Sequence, residues 1–238
     1  MQKSKYYVIS LGGSLIVPKN GIDWKFLKNF RELIIKEIKK NKKFIIVAGG
    51  GNTARDYQTA ASKVTKLTDD DKDWIGIHST RLNAHLIKTI FRKYAHSRIN
   101  KNPRTKADIR KHFQKNEKIM VAAGWRPGWS TDYVATILAE RLGAKTVINL
   151  SNIQYVYDKD PKKYKTAKKI KEITWPDFRK IVGNKWDPGL NAPFDPIASK
   201  HAEEQGLEVI IAEGKNTKNL EKYFNGEKFK GTVIKARG

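Results

Sequence analysis

Short apolar runs alternate with amphipathic stretches along this chain. Tyr6–Leu11 is an apolar-rich run closed by Gly12-Gly13-Ser14, which predicts a buried strand ending in a tight turn. Asp23–Lys40 then sets Phe26, Leu27, Phe30, Leu33, Ile34 and Ile38 on one stripe at helical spacing. Phe44–Ala48 predicts a second strand, closed by Gly49-Gly50-Gly51, with a helix beginning near Asn52. Asp73–Tyr94 predicts a helix whose apolar side is Ile75, Leu82, Leu86, Ile87 and Ile90. Ser97–Asn116 is polar and basic, a loop with a short helix around Asp108–Phe113.

The same rhythm continues. Lys118–Ala123 predicts a strand, closed by Gly124-Trp125-Arg126-Pro127-Gly128. The next helix keeps Val134, Ile137, Leu138 and Leu142 at core spacing and stops at Gly143. Lys145–Leu150 is a fourth strand, followed by a long loop, Ser151–Lys165. A helix near Trp175–Val182, a Gly/Pro/Asn-rich stretch at Gly183–Pro193 and a helix at Asp195–Gln205 come next. Glu208–Ala212, Thr217–Phe224 and Thr232–Ile234 read as strand, helix and strand. No internal repeat or low-complexity linker interrupts the series. Strands alternating with helices predict one α/β domain with a mainly parallel sheet covered on both faces, and 238 residues is an ordinary size for it.

Composition narrows the function. Apolar residues make up 39% and aromatics 10%, enough for a real core. The absence of cysteine excludes disulfide scaffolds, thiolate metal sites and cysteine nucleophiles. The five histidines show no ligand spacing, so no metal site is expected from side-chain motifs alone. No apolar h-region follows Met1, and no run approaches a membrane span, so a soluble, cytoplasmic chain is expected. Forty-eight Lys+Arg against 24 Asp+Glu leave a net charge of +24, concentrated at Lys36–Lys43, Arg98–Lys118 and Lys159–Lys171. Such a field attracts polyanions, but no nucleic-acid recognition motif accompanies it, so a specific nucleic-acid partner is not expected.

The chemistry is expected at the strand ends. In open parallel sheets, ligands bind outside the carboxyl ends of the strands. Gly12-Gly13, Gly49-Gly50-Gly51, Gly124…Gly128 and Ser151…Asp160 would share that edge, where glycine lets backbone N–H groups approach an anion and helix N-termini add a positive pole. The edge suits phosphate. Neither Gly-x-x-x-x-Gly-Lys-Ser/Thr nor an opening Gly-x-Gly-x-x-Gly is present, which argues against a P-loop NTPase and a standard dinucleotide-binding enzyme.

In order along the chain stand Ile9-Ser10-Leu11-Gly12-Gly13-Ser14, Ala48-Gly49-Gly50-Gly51-Asn52-Thr53-Ala54-Arg55 and Asp73-Trp74-Ile75-Gly76-Ile77. They are followed by Pro127-Gly128-Trp129-Ser130-Thr131-Asp132, Asn152-Ile153-Gln154-Tyr155-Val156-Tyr157, Asp160-Pro161-Lys162-Lys163 and Asp195-Pro196. This series resembles the amino-acid-kinase superfamily and, within it, the uridylate (UMP) kinases of archaeal type, over nearly the whole chain. The resemblance implies a three-layer αβα sandwich, with an acceptor-site half of about 1–145 and an ATP-site half of about 146–238. It implies transfer of the ATP γ-phosphoryl group to UMP, with Mg²⁺ accompanying ATP, by a homo-oligomer, usually a hexamer. It assigns Gly13, Ser14, Gly51 and Arg55 to the ATP phosphates and Ser151, Asn152, Tyr157 and Asp160 to the adenosine side. Gly50, Asp73 and the loop Trp125, Arg126, Pro127, Gly128, Trp129, Ser130 and Thr131 fall to UMP. Asp132 matches the family's catalytic-site aspartate, and Arg55 shares the catalytic role.

Plainer readings stand beside these. An aspartate in a helix first turn, as at Asp132, is favoured merely as a cap. Arg55 early in a helix opposes the dipole, which an anion ligand would explain, as would a plain surface arginine. Two departures bear on the acceptor. Ser10 stands where many members have Lys, so the charge must come from elsewhere, with Arg126, Lys159 and Lys162 as candidates. Trp125 and Trp129 replace smaller or polar residues, offering indoles that could stack a base, and Gln154-Tyr155 replaces Asp-Gly. The alternatives are another kinase of the superfamily, acting on a carboxylate, carbamate or isoprenoid phosphate, or a non-catalytic nucleotide-binding regulator.

Overall fold

Seven strands form one sheet in the order β3-β2-β1-β4-β8-β9-β7. They are β1 (Tyr6–Leu11), β2 (Lys43–Ala48), β3 (Ile119–Ala122), β4 (Thr146–Ser151), β7 (Glu172–Thr174), β8 (Glu208–Glu213) and β9 (Thr232–Lys235). The computed structural model describes residues 6–105, 109, 113, 117–161, 163–183 and 192–236. The five strands from β3 to β8 run parallel, with Leu11 level with Ala48 and Leu150, and Leu150 level with Ala212. β9 is antiparallel to β8, and β7 is parallel to β9. Buried on both faces, these strands are near-continuous apolar runs such as Phe44-Ile45-Ile46-Val47-Ala48, all fully inaccessible.

Two cores flank the sheet. One gathers Val8, Ile45, Val47, Val147 and Val209 under α5 (Thr131–Leu142), α6 (Trp175–Val182) and α7 (Pro196–Glu204). The other gathers Ile9, Leu11, Ile46, Ile148 and Ile210 under α2 (Trp24–Lys39), α4 (Asp69–Ile90) and α8 (Thr217–Asn225). α3 (Gly51–Val64) packs on α4 and buries none of its residues. The expected three-layer αβα architecture with a mainly parallel sheet is therefore the one observed.

Some elements depart from the expected pattern. Gly13–Ile16 forms a short helix, α1, where only a turn was expected. The long loop after β4 contains β5 (Val156–Tyr157), paired antiparallel with β6 (Lys169–Ile170) in a separate two-stranded sheet. α4 starts at Asp69 rather than Asp73, because the Thr68 hydroxyl and the Asp71 carboxylate cap each other's backbone N–H groups. The short helix expected around Asp108–Phe113 lies outside the described residues, except that Ile109 and Phe113 are buried in the first core. Most of Gly183–Pro193, and Lys162, also lie outside them.

Candidate active site

Parallel strands bring the glycine loops to one edge of the sheet. Gly12 N–H donates to Leu150 O at 2.8 Å, Gly49 N–H to Leu11 O at 2.9 Å and Gly214 N–H to Ser151 O at 2.9 Å. A Cβ on Gly13 would lie 2.0 Å from Gly51 N and 2.6 Å from Gly49 C, so the first two loops touch through bare backbone. Gly51 also has φ +67°, the left-handed region glycine tolerates. Asn83, buried on α4, holds the second loop from behind, its amide donating to Gly49 O at 2.8 Å and Gly50 O at 3.0 Å.

Two cavities open on this edge and share Ala192 in their walls. The first, about 340 Å³, is walled by Gly13, Gly50, Gly51, Arg55, Asp73, Trp129, Ser130, Thr131 and Asp132 among the expected site residues. The second, about 690 Å³, is walled by Ser14, Ser151, Asn152, Tyr157 and Asp160. These five, among the residues of the second wall, were all expected on the ATP side. Gly13, Gly51 and Arg55 were expected there too, yet they face the first cavity, across from Asp73 and the Trp129–Asp132 segment. Arg55 lies on α3 one turn beyond the glycines, so its helix carries it to that side.

The loop after β3 is also arranged differently from expectation. Trp125, Arg126, Pro127 and Gly128 do not wall the first cavity, whereas Trp129 does. Trp125 and Trp129 stack with centroids 6.0 Å apart, and Trp129 lies at 4.3 Å on Tyr133. A base cannot enter between two rings already at stacking distance, so the indole pair is no open slot. Arg126 covers Trp125 at 4.4 Å, and Arg104 approaches the same pair at 5.5 and 5.9 Å while donating to Tyr133 Oη at 3.0 Å. The loop is tied down by Asp73, whose carboxylate accepts Gly128 N–H at 2.6 Å. Of the cations expected to compensate for Ser10, Arg126 is stacked on Trp125 and Lys159 lies over Tyr164 at 5.5 Å. Lys72, with no sequence signal to mark it, stands in the first wall beside Arg55.

Asp132 is the second residue of α5, in its first turn, but does not cap it. Ser130 is the N-cap and accepts Tyr133 N–H at 3.1 Å, which leaves the Asp132 carboxylate turned toward the sheet. There Ser10 Oγ donates to Asp132 Oδ1 at 2.7 Å and Asn149 Nδ2 donates to the same atom at 2.9 Å. Ser10 and Asn149 are level neighbours on β1 and β4, so the strand register itself builds this cradle. Asp132 Oδ2 accepts Asp195 N–H at 3.3 Å. Burial raises the Asp132 pKa, against the opposing effect of these three donors.

Asp195 caps α7, its Oδ1 accepting Ala198 N–H at 2.5 Å, and it too walls the first cavity. Burial first, and the neighbouring charge of Asp132 after it, push its pKa up to about 7. Sequence reasoning placed Asp195-Pro196 within the resemblance but gave the aspartate no role, because Asp before Pro reads as an ordinary helix start. Among the described residues, no three of His, Cys, Asp or Glu gather as a metal cluster, and no helix is long and apolar enough to cross a membrane.

Comparison with known proteins agrees with this geometry. A uridylate kinase of Methanococcus aeolicus is 36% identical over 208 residues, covering 87% of this chain and 90% of the relative. One of Methanobrevibacter smithii is 33% identical over 228 residues, covering 95% and 98%. The crystal structure of uridylate kinase from Archaeoglobus fulgidus superposes with a TM-score of 0.77 at 29% identity, over 96% of this chain and 99% of that one. A UMP kinase structure from Bacillus anthracis, 18% identical with a TM-score of 0.80 over 100% and 98%, shares the fold. The family model described as amino acid kinase family matches residues 5–213, and with glycine loops, paired cavities and relatives in accord, the chain belongs to the amino acid kinase family.

Proposed function

We propose that this protein is a uridylate kinase, transferring the γ-phosphoryl group of ATP to UMP to give ADP and UDP. The observation that carries the reading is the meeting of two cavities at one glycine-built edge, with Ala192 in both walls. The relatives named uridylate kinase, matched over most of their length, support the same donor and acceptor.

The first cavity takes the acceptor and the second takes ATP. The acceptor-site half, about 1–145, supplies most of the first wall, and the ATP-site half, about 146–238, most of the second. The phosphate of UMP has a second pKa of about 6, so at neutral pH it is already a nucleophilic dianion and needs no general base. Catalysis then reduces to aligning two anions and countering the charge spread over the transferring group. Backbone N–H groups of the glycine loops are placed for this, with Arg55 and Lys72 on the acceptor side. Asp73 positions the acceptor loop through Gly128. Ser151, Asn152, Tyr157 and Asp160 hold the adenosine, while Gly13, Ser14 and Gly51 stand where the phosphates of donor and acceptor converge.

Mg²⁺ enters with ATP. Asp132 and Asp195 suit such a cation, since a buried oxygen of Asp195 lacks any hydrogen-bond partner. When bound, the ion supplies charge neutralisation between the phosphates. We read the working enzyme as a cytoplasmic homo-oligomer, a hexamer by resemblance. An ADP-release assay across UMP, CMP, acetylglutamate, carbamate and isopentenyl phosphate tests the acceptor. UMP turnover well above the rest is the expected result. Preferred turnover of a base-free acceptor overturns the reading.

A further inference from the structure

The net charge of +24 is not spread evenly along this chain. Residues 74–130 hold thirteen Lys+Arg against two Asp+Glu, Asp108 and Glu117. Within that stretch lies β3, the outermost strand at one end of the sheet. The segment after α4 runs parallel to β3 on its open side, bridged at Ala95–Ile119 and Asn100–Ala122. His96 N–H donates to Ile119 O at 2.9 Å and Asn100 N–H to Val121 O at 2.9 Å, which ties the segment to the strand. Covering the edge blocks pairing with another strand, but charge of either sign would serve there. Yet Arg92, Lys93, Arg98, Lys101 and Arg104 are all exposed along it, as is Arg126 in the loop after β3. Among the described residues none of these six forms an ion pair. Exposed lysines elsewhere do, as Lys215 with Asp23 at 2.8 Å and Lys235 with Glu172 at 2.7 Å.

The row of cations ends on aromatic rings. The Arg126 guanidinium lies 4.4 Å from the Trp125 ring centroid and 5.3 Å from that of Trp129, and the Arg104 guanidinium lies 5.5 and 5.9 Å from the same two. Two like charges on one pair of rings repel each other, and an anion between them would relieve that. A row of unneutralised cations suits a chain of anions. An acidic peptide would satisfy the charge but has nothing to lay on the flat guanidinium faces. A duplex keeps its bases stacked inward. A single strand can use both features, its phosphates on the cations and a base on an arginine plane. We infer that the β3 edge, from Arg92 to Arg126, is a binding surface for single-stranded nucleic acid. Because the contacts go to the phosphate backbone and to any base's flat face, the surface binds without regard to sequence. The inference goes beyond the kinase reading and does not depend on it.

The test titrates the full chain into a short fluorescein-labelled oligoadenylate and follows anisotropy as NaCl is varied. With about four phosphates neutralised, log affinity should fall against log salt with a slope of about −3. The triple change Arg98→Glu, Lys101→Glu, Arg104→Glu should weaken binding by at least about thirtyfold at low salt and flatten the slope to about −1. The same three positions changed to Gln, a gentler variant, should cost about tenfold. Lys218→Glu, Lys222→Glu, Lys228→Glu, exposed on α8 and in the turn before β9, alters net charge equally and should cost less than about threefold. Circular dichroism confirms that each variant is folded. Equal losses in the two Glu triples overturn the proposal, by reducing it to net charge. So does a wild-type chain that leaves the strand free at low salt. Displacement of the strand by polyglutamate of matched charge overturns it in favour of an acidic protein partner. A duplex of the same length bound as tightly removes the part played by the bases. Displacement by excess UMP and ATP would place the strand in the two cavities and overturn it as well. Because no turnover is measured, failure here leaves the acceptor assay standing, and failure of that assay leaves this test standing.

Discussion

Two buried carboxylates lie at opposite ends of this fold and meet opposite fates. Glu37, near the end of α2, is fully inaccessible and is gripped by Lys40 at 2.7 Å and by Lys42. Burial alone would raise its pKa, but the two ammonium groups outweigh that and lower it. Lys42 also donates to Phe224 O at 2.7 Å and lies over the ring of Tyr7, so the cluster pins α2 to α8 beside β1. Asp195 is nearly as deeply buried, has no such ammonium partner among the described residues, and is pushed the other way by burial, to about 7. A buried charge that is fully paired explains itself as structure. One left unpaired at a cavity wall is a strain on the fold, and function is the natural reason to keep it.

That contrast is open to direct attack. The largest effect is expected at Asp132, which the Asp195 backbone and two strand side chains hold in place. Asp132→Asn should lower kcat by about 10²–10³, as loss of a preorganised electrostatic group does elsewhere, with KM for either substrate little changed. Wild-type turnover in this variant, measured at saturating ATP and UMP, would reduce Asp132 to a packing residue.

Asp195→Asn probes the other carboxylate through stability. In the folded chain Asp195 keeps its proton up to about pH 7, while an unfolded aspartate loses it near pH 4. The stabilising contribution of the proton is therefore whole below about pH 4 and is lost as pH rises to about 7. Without divalent ions, urea unfolding at pH 8 should find Asp195→Asn more stable than wild type by on the order of 3–4 kcal/mol, with the gap closing toward pH 4. A gap that does not depend on pH would remove the case for a strained carboxyl.

Glu37→Gln should do the reverse. It leaves Lys42 partly buried beside a neutral amide and should cost about 3 kcal/mol in the same assay at pH 7, with kcat unaltered. The smallest effect belongs to Trp129→Ala, which touches neither carboxylate. Loss of one aromatic contact of about 0.5–1.5 kcal/mol should raise KM for UMP several-fold and leave KM for ATP alone. An equal rise for ATP would detach Trp129 from the acceptor cavity.

Much of this was legible before any coordinates. Strand–helix alternation gave the parallel sheet, because strands buried on both faces must be apolar throughout, as Phe44–Ala48 is. The elements that escaped were too short for any period to register: α1 spans Gly13–Ile16, and β5 and β6 hold two residues each. Thr68 and Asp71 did carry a readable signal, a reciprocal cap three residues apart, which marks the true start of α4. The site was legible as a set of loops but not as a set of partners. Trp125 and Trp129 looked like a slot for a base, and the four-residue spacing from Trp129 to Tyr133 hinted at the stack that closes it. The unpartnered oxygen of Asp195 exists only once α7, β1 and β4 are assembled, so no pattern along the chain could report it.

The contact between Gly13 and the Gly49–Gly51 loop has a consequence for how this scaffold changes over time. Because the two loops touch atom to atom with no side chain between them, this part of the first cavity's wall is set by main-chain geometry rather than by any rotamer. Mutation at Trp129 or Thr131 can redraw the side-chain wall of that cavity while the loop contact stays as it is. A change at the glycines has no such latitude: even alanine would force the strands apart. The cavity's shape is thus open to change through its side chains, while its glycine backbone is nearly closed to it.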